Sequence, residues 1–162
     1  DLVSFIRDRA KVMIRDRGVR HDVADALLAS DDFVFADVAR HAPSLANFLL
    51  NEGDGLVGPF KRARNILRQA GEFSSNEQML EMEPAEEQLN LAIDVAQKKM
   101  AEPIEFSERL NILSNLLGPM NKFFDDVVVN HEDDFVRARR LSLMAKVVAL
   151  FDDVADFDAL DG

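Results

Sequence analysis

Two short basic runs hold most of the chemistry that this chain offers. Residues 61–68, Lys-Arg-Ala-Arg-Asn-Ile-Leu-Arg, carry four positive charges and no negative one. On a helix, Phe60, Ala63 and Leu67 form the inner stripe. Lys61, Arg64 and Arg68 then fall together beside that stripe, at spacings of three and four, with Asn65 between them and Arg62 pointing elsewhere. Such a strip suits a phosphate backbone, and the Asn65 amide can both donate and accept hydrogen bonds. The alternative reading is a solvated helix face.

The second run is Arg137-Ala138-Arg139-Arg140-Leu141. Leu141, Met144, Val148 and Phe151 step by three and four, so Arg137 heads an apolar stripe and Arg140 borders it. Arg139 is expected to face water. An arginine on an apolar stripe needs a carboxylate, carbonyl or phosphate to offset its desolvation. Asp125 and Asp126 are nearby candidates, in which case Arg137 and Arg140 clamp the C-terminal helices. The other reading is that one of them reaches RNA. A third line, Arg7, Lys11 and Arg15, is interrupted by Asp8 and Asp16 and reads as solvated surface.

Catalytic patterns fail. The chain has no cysteine, which excludes disulfides, thiolate metal sites and thiol nucleophiles. A glycine-rich phosphate loop, G-x-S-x-G and H-E-x-x-H are all missing. His21-Asp22 is the start of a metal-hydrolase pattern, but only His41 and His131 remain to complete it. His131-Glu132-Asp133-Asp134 lies where a helix should begin, and carboxylates there complement the helix dipole. The expectation is no catalytic residue and no metal site.

The elements that must position these residues are helices. Threonine, tyrosine and tryptophan are absent, while leucine and alanine together supply 38 of 162 residues. Val3, Ile6, Ala10 and Met13 mark one face of a first helix, ending near Gly18. His21–Ala29 follows, and a third helix is capped within Ser30-Asp31-Asp32. Pro43 is expected to break that helix. Pro59 opens the next, which ends at Gly71. Residues 72–83 read as a surface loop. Helices are expected from Pro84 to about Met100, from Glu105 to Leu117 before a break at Gly118-Pro119, and from Glu132 to Phe151. The predicted fold is all-α, a single bundle of seven to eight helices over residues 1–162. The longest apolar run, Val147–Phe151, is five residues, far short of a membrane span. No secretory leader is visible, and the chain, lacking an initial methionine, reads as a piece of something longer. Charge is uneven: residues 1–70 hold 11 Lys/Arg against 10 Asp/Glu, a balance of +1, and residues 71–162 hold 8 against 20, a balance of −12. A nucleic-acid binder needs local positive surface, not a positive total.

The order of segments resembles the C-terminal region of the β subunit of bacterial glycyl-tRNA synthetase. The pieces are Leu2–Arg9 with the Asp22–Ala29 helix; Lys61–Leu67; Glu83-Pro84-Ala85-Glu86; Phe123–Val129; Arg137–Leu141; and Val154-Ala155-Asp156-Phe157. The resemblance implies a helical anticodon-binding domain of the DALR type that holds the anticodon arm of glycine tRNA. It implies a parent glycine–tRNA ligase that uses ATP at a site on a separate α subunit, in a cytoplasmic heterotetramer, with no cofactor in this fragment. Two departures stand out. Members usually carry asparagine within the R-x-x-R-L element where this chain has Arg139. The Asp-Ala-Leu-Arg signature is not found in 103–122, so no residue is carried over from there. The expected tRNA contacts are Lys61, Arg64 and Arg68 on phosphates, Asn65 near a base or sugar edge, Arg139 as an exposed addition, and Arg137 and Arg140 behind them. Stacking must come from phenylalanine or arginine planes. This expectation depends on the cations of the strip not being taken up by intramolecular carboxylates. The rival reading is a structural module that packs against the rest of the synthetase and exposes a contiguous apolar patch.

Overall fold

A computed structural model describes residues 2–30, 33–53, 55–73 and 81–161. Its described residues form eight α-helices: α1 Leu2–Arg15, α2 His21–Leu27, α3 Phe35–Leu50, α4 Val57–Ala70, α5 Pro84–Met100, α6 Phe106–Ser114, α7 Leu117–Asp126 and α8 Asp134–Asp152. A short 3-10 turn, Phe157–Ala159, closes the chain. There is no strand among the described residues, so the all-α expectation holds. Val127-Val128-Val129, whose β-branched residues suit a strand, is an irregular connection between α7 and α8.

The helix α8 is the centre of the bundle. It packs against α4 on one side and α5 on another, while α7 lies along α5. α2 joins α1 and α3 to the C-terminal turn, and α6 covers α3. Phe60, Phe151 and Phe157, all fully buried, meet where α4, α8 and the turn converge. Their ring centroids are 5.0 Å apart for Phe60–Phe151, 5.6 Å for Phe60–Phe157 and 4.9 Å for Phe151–Phe157. Aromatic pairs at such separations add to the burial of their area. The polypeptide after α8 is therefore part of the core. Asp156 N donates to Ala26 O at 3.0 Å, and Asp161 N to the Asp22 carboxylate at 2.9 Å, which ties the segment to α2.

Several boundaries follow the sequence signals closely. Gly71 ends α4 with φ +66°, a region open to glycine. Pro84 begins α5, whose first turn carries a capping box: the Glu83 and Glu86 carboxylates satisfy each other's backbone N–H groups. Asp133 accepts from Phe135 N and Val136 N at 2.8 and 3.0 Å, so the acidic 131–134 run is a helix start, as expected. Those backbone bonds hold the Asp133 carboxyl below its ordinary range.

Other expectations need correction. Pro43 does not break α3, which runs through it. Val38, Ala42, Leu45 and Phe48 keep one buried stripe across the proline, and Pro43 itself sits on the exposed side. The helix break near 118 falls earlier, at Asn115-Leu116, and Pro119 occupies the first turn of α7, where its missing N–H has no helical partner to lose. Phe35 begins α3, behind an N-cap, Val34, that makes no side-chain bond. The caps expected at Asp31 and Asp32 lie outside the described residues, as do residues 74–80 of the expected surface loop. The inner face of α1 is Ala10 and Ile14, whereas Ile6 and Met13, expected inside, are 46% and 48% exposed.

Candidate nucleic-acid interface

The cationic strip on α4 forms as its spacing requires. Phe60 and Ala63 turn inward, and Lys61, Arg64 and Arg68 align on one flank with exposed Asn65 beside them. The C-terminal segment, anchored by Phe157, lies against that flank. Lys61 Nζ donates to Leu160 O at 2.5 Å. Arg64 pairs with Asp152, and its Nε lies 3.1 Å from Asp158. Arg68 Nη2 donates to Asp158 at 2.9 Å. Intramolecular acceptors therefore engage all three cations. Three positive charges meet two carboxylates, which leaves the flank at +1. The narrow positive strip expected from sequence is a mostly neutralised seam. Of its members Arg68 stays the most open, with its side chain 62% exposed, against 21% for Arg64.

The run on α8 departs further from expectation. Arg139 does not face water; it is 9% exposed, and Arg140 is 2% exposed. Both donate to Glu86, which is fully buried on α5: Arg139 Nε at 3.0 Å and Arg140 Nη2 at 3.0 Å. Arg140 also donates to Glu83 at 2.5 Å and to Val128 O at 2.6 Å. The physical reason is that α8 is covered on two sides, so the face opposite its main stripe meets α5 instead of solvent. Burial alone would push the Glu86 carboxyl up. Hydrogen bonds from Arg140, Glu83 N and Arg139 more than offset that and hold it below the ordinary carboxylate range. Arg139 and Arg140 are thus structural clamps with little surface to offer a ligand. Asp125 and Asp126 are not their partners. Arg137, half-buried, donates to His131 O at 3.2 Å and pairs with Asp134.

A second feature was missed in the sequence. A groove of about 1050 Å³ lies between α4, the 127–130 connection and the start of α8. Arg62, which the α4 phase sent away from the strip, sits at its edge with its guanidinium 4.4 Å from the centroid of Phe124. Phe135, 47% exposed, and Arg137 line the other wall. The signal was present as an off-phase arginine and an aromatic next to a helix start, but only tertiary packing brings residues 62, 124 and 135 together.

His21 and Asp22 lie beside Asp161 of the C-terminal segment. His21, Asp22 and Asp161 place possible ligand atoms within 4.8 Å of one another. Asp22 is already engaged by Arg20, Val23 N and Asp161 N. Burial would raise the Asp22 carboxyl, yet these donors together hold it below its ordinary value. Its lone pairs are thus committed within the fold.

Residues 59–156 match the DALR anticodon binding domain family. That range begins in the first turn of α4 and contains the groove and the cations of the flank, with their acceptors Asp158 and Leu160 just beyond it. The whole chain is 36% identical, over 176 aligned residues, to the glycine–tRNA ligase β subunit of Ruegeria sp. (strain TM1040), of which it covers 25%. It is 35% identical to the same subunit of Rhodospirillum centenum over 180 aligned residues, covering all of this chain and 24% of that protein. The corresponding figures for Dinoroseobacter shibae are 35% over 175 residues, with 100% and 24% covered. The chain thus spans about a quarter of the length of the curated relatives it matches. It belongs to the DALR anticodon-binding domain family, in the form similar to glycine–tRNA ligase β subunits.

Proposed function

We propose that this domain holds the anticodon arm of glycine tRNA for a glycine–tRNA ligase whose ATP-dependent chemistry resides on a separate α subunit, within a cytoplasmic α/β heterotetramer. The observation that carries the reading is the coincidence of the anticodon-binding family match, 59–156, with the segment that builds the α4 flank and the groove. Phosphates of the arm meet Arg68 and Arg64 on the flank, with Asn65 beside them, and Arg62 and Arg137 at the groove rim. Lys61, Arg139 and Arg140 support this surface from within. The net charge of −11 keeps phosphate contacts local, so binding should be salt-sensitive yet confined to a small footprint. A gel-shift titration with glycine tRNA, and with the same tRNA carrying a substituted anticodon, tests the reading. Weaker binding of the substituted tRNA is expected; equal binding of both would overturn anticodon recognition by this domain.

A second reading is favoured by a different surface. Leu2, Phe5, Ile6 and Met13 leave 71%, 59%, 46% and 48% of their surface exposed on the outer side of α1. α1 precedes the family match, and isolated domains seldom leave so many large apolar groups together. We infer that this face packs against the remainder of the β subunit or against the α subunit. Phe5→Asp with Met13→Asp in the full-length β subunit should abolish co-purification with the α subunit or lower the melting temperature of that complex. An unchanged complex would remove the assembly role.

A further inference from the structure

The connection between α7 and α8 forms one wall of the groove, yet it belongs to no helix. Val127 and Val129 are buried, whereas Val128 is 66% exposed and Asn130 is exposed. Two valines thus anchor the connection by their side chains, but the peptide planes between them must be set by other bonds. The Val128 carbonyl turns toward α8, where Arg140 Nη1 donates to it at 2.6 Å. The other arm of the same fork, Nη2, donates to Glu83 at 2.5 Å and to Glu86 at 3.0 Å. One guanidinium therefore joins a wall of the groove to the buried α5–α8 cluster. Arg140 is 2% exposed, so it has almost no surface to offer RNA. The fork fixes direction as well as distance, because its planar N–H groups point along set lines. In a trans peptide the two polar groups point opposite ways, so holding the Val128 C=O turns the Val129 N–H away from Arg140. Val129 N donates to no acceptor among the described residues.

Resting on the reading above, we propose that Arg140 is a positioning residue for tRNA binding. It holds the Val128–Val129 peptide in the orientation that the wall presents to RNA, and it does so without touching RNA. Arg62 and Arg137 supply charge at the groove, and Arg140 supplies the shape of the wall between them. Preorganising a surface in this way strengthens binding by removing the cost of ordering it when the ligand arrives. A lysine at 140 keeps the charge that faces Glu83 and Glu86. Its single nitrogen does not span the carboxylates and the Val128 carbonyl in the directions of the fork. The structural and the positioning roles of Arg140 are therefore separable.

The test uses the 162-residue chain and glycine tRNA. Affinity is measured by filter binding at several salt concentrations and referred to the folded fraction seen by circular dichroism. Arg140→Lys should weaken binding on the order of tenfold and leave the slope of log affinity against log salt unchanged, because no phosphate contact is lost. Leu45→Ala removes a fully buried side chain from α3, which does not line the groove, so it should lower stability and leave affinity unchanged. A second pair of variants leaves Arg140 in place and decides the matter alone if Arg140→Lys does not fold. Val128→Ala and Val128→Gly both remove an exposed side chain, but only glycine frees the backbone, so Val128→Gly should bind several-fold more weakly than Val128→Ala. A folded Arg140→Lys with unchanged affinity, or equal binding by the Val128 pair, would overturn the positioning role and leave RNA binding standing. So would a loss in Arg140→Lys that flattens the salt slope, which marks a direct phosphate contact, or one that Leu45→Ala shares, which marks general stability. No binding of glycine tRNA by the unmodified chain would overturn the RNA-binding reading and this role together.

Discussion

The basic runs of α4 and α8 look alike in sequence and behave differently in the fold. On α8, Arg139 and Arg140 converge on a single buried carboxylate, Glu86, and bind α5 to α8. On α4, Arg64 and Arg68 meet Asp152 and Asp158 at the edge of the molecule, and Arg68 keeps most of its surface. A buried charge stripped of its partner has nowhere to turn, whereas an exposed one exchanges its partner for water or phosphate at little cost. The helix itself does not decide the role of its arginines. What decides it is whether a second helix covers the face they occupy.

The sharpest way to break this contrast is at Glu86. Glu86→Gln removes the buried carboxylate that Arg139 and Arg140 share, and should lower unfolding free energy by about 3 kcal/mol although Glu83 still faces Arg140. Urea or thermal denaturation followed by circular dichroism measures it. A loss below about 1 kcal/mol would show that the α5–α8 cluster is no more demanding than a surface pair.

The same carboxylate gives a pH dependence. Its folded-state value lies below the ordinary 4.5, so the unfolded chain takes up a proton first as pH falls. The stabilisation is complete above the unfolded value and is lost as pH drops through the folded one. Stability should therefore decline below about pH 4.5, and Glu86→Gln should flatten that decline relative to the unmodified chain. Asp22, shifted in the same direction by Arg20 and the Asp161 backbone, contributes to the same window, so some acid sensitivity should survive in the variant.

How much of this was legible in the sequence follows from the number of faces each helix buries. α4 buries one, and its phase placed Phe60, Ala63, Lys61, Arg64 and Arg68 correctly. α8 buries Arg139 and Arg140 alongside Leu141, Leu143, Met144, Val147 and Leu150, which lie around most of its circumference. A one-stripe reading put Arg139 in water for that reason. α1 shows the converse: its apolar residues span two faces, and periodicity alone could not tell which was covered. Local signals such as Gly71 and Pro84 were readable because capping depends on near neighbours. The C-terminal carboxylates were not, since the pairings of Asp152 and Asp158 with α4 span 88 to 94 residues of chain.

On the α4 side the contrast is sharpened by removing charge without adding any. Arg64→Gln with Arg68→Gln should reduce affinity for glycine tRNA on the order of tenfold. The steepness of the salt dependence should fall by about 0.7–0.9 for each phosphate that the variant no longer neutralises. Filter binding at several salt concentrations reads both quantities. Unchanged affinity and slope would confine RNA to the groove and leave the flank a purely internal seam.

The smallest effect is also the most discriminating. If Asp158 merely competes with phosphate for Arg64 and Arg68, then Asp158→Asn should change stability by no more than about 1 kcal/mol, as for an exposed pair. The core packing of Phe157 holds the turn in place regardless. Release of the two guanidiniums should then raise tRNA affinity a few-fold and steepen its salt dependence, the opposite of the arginine substitutions. A large stability loss with no gain in binding would instead make the α4 pairs as structural as those of α8, and the distinction between the two runs would vanish.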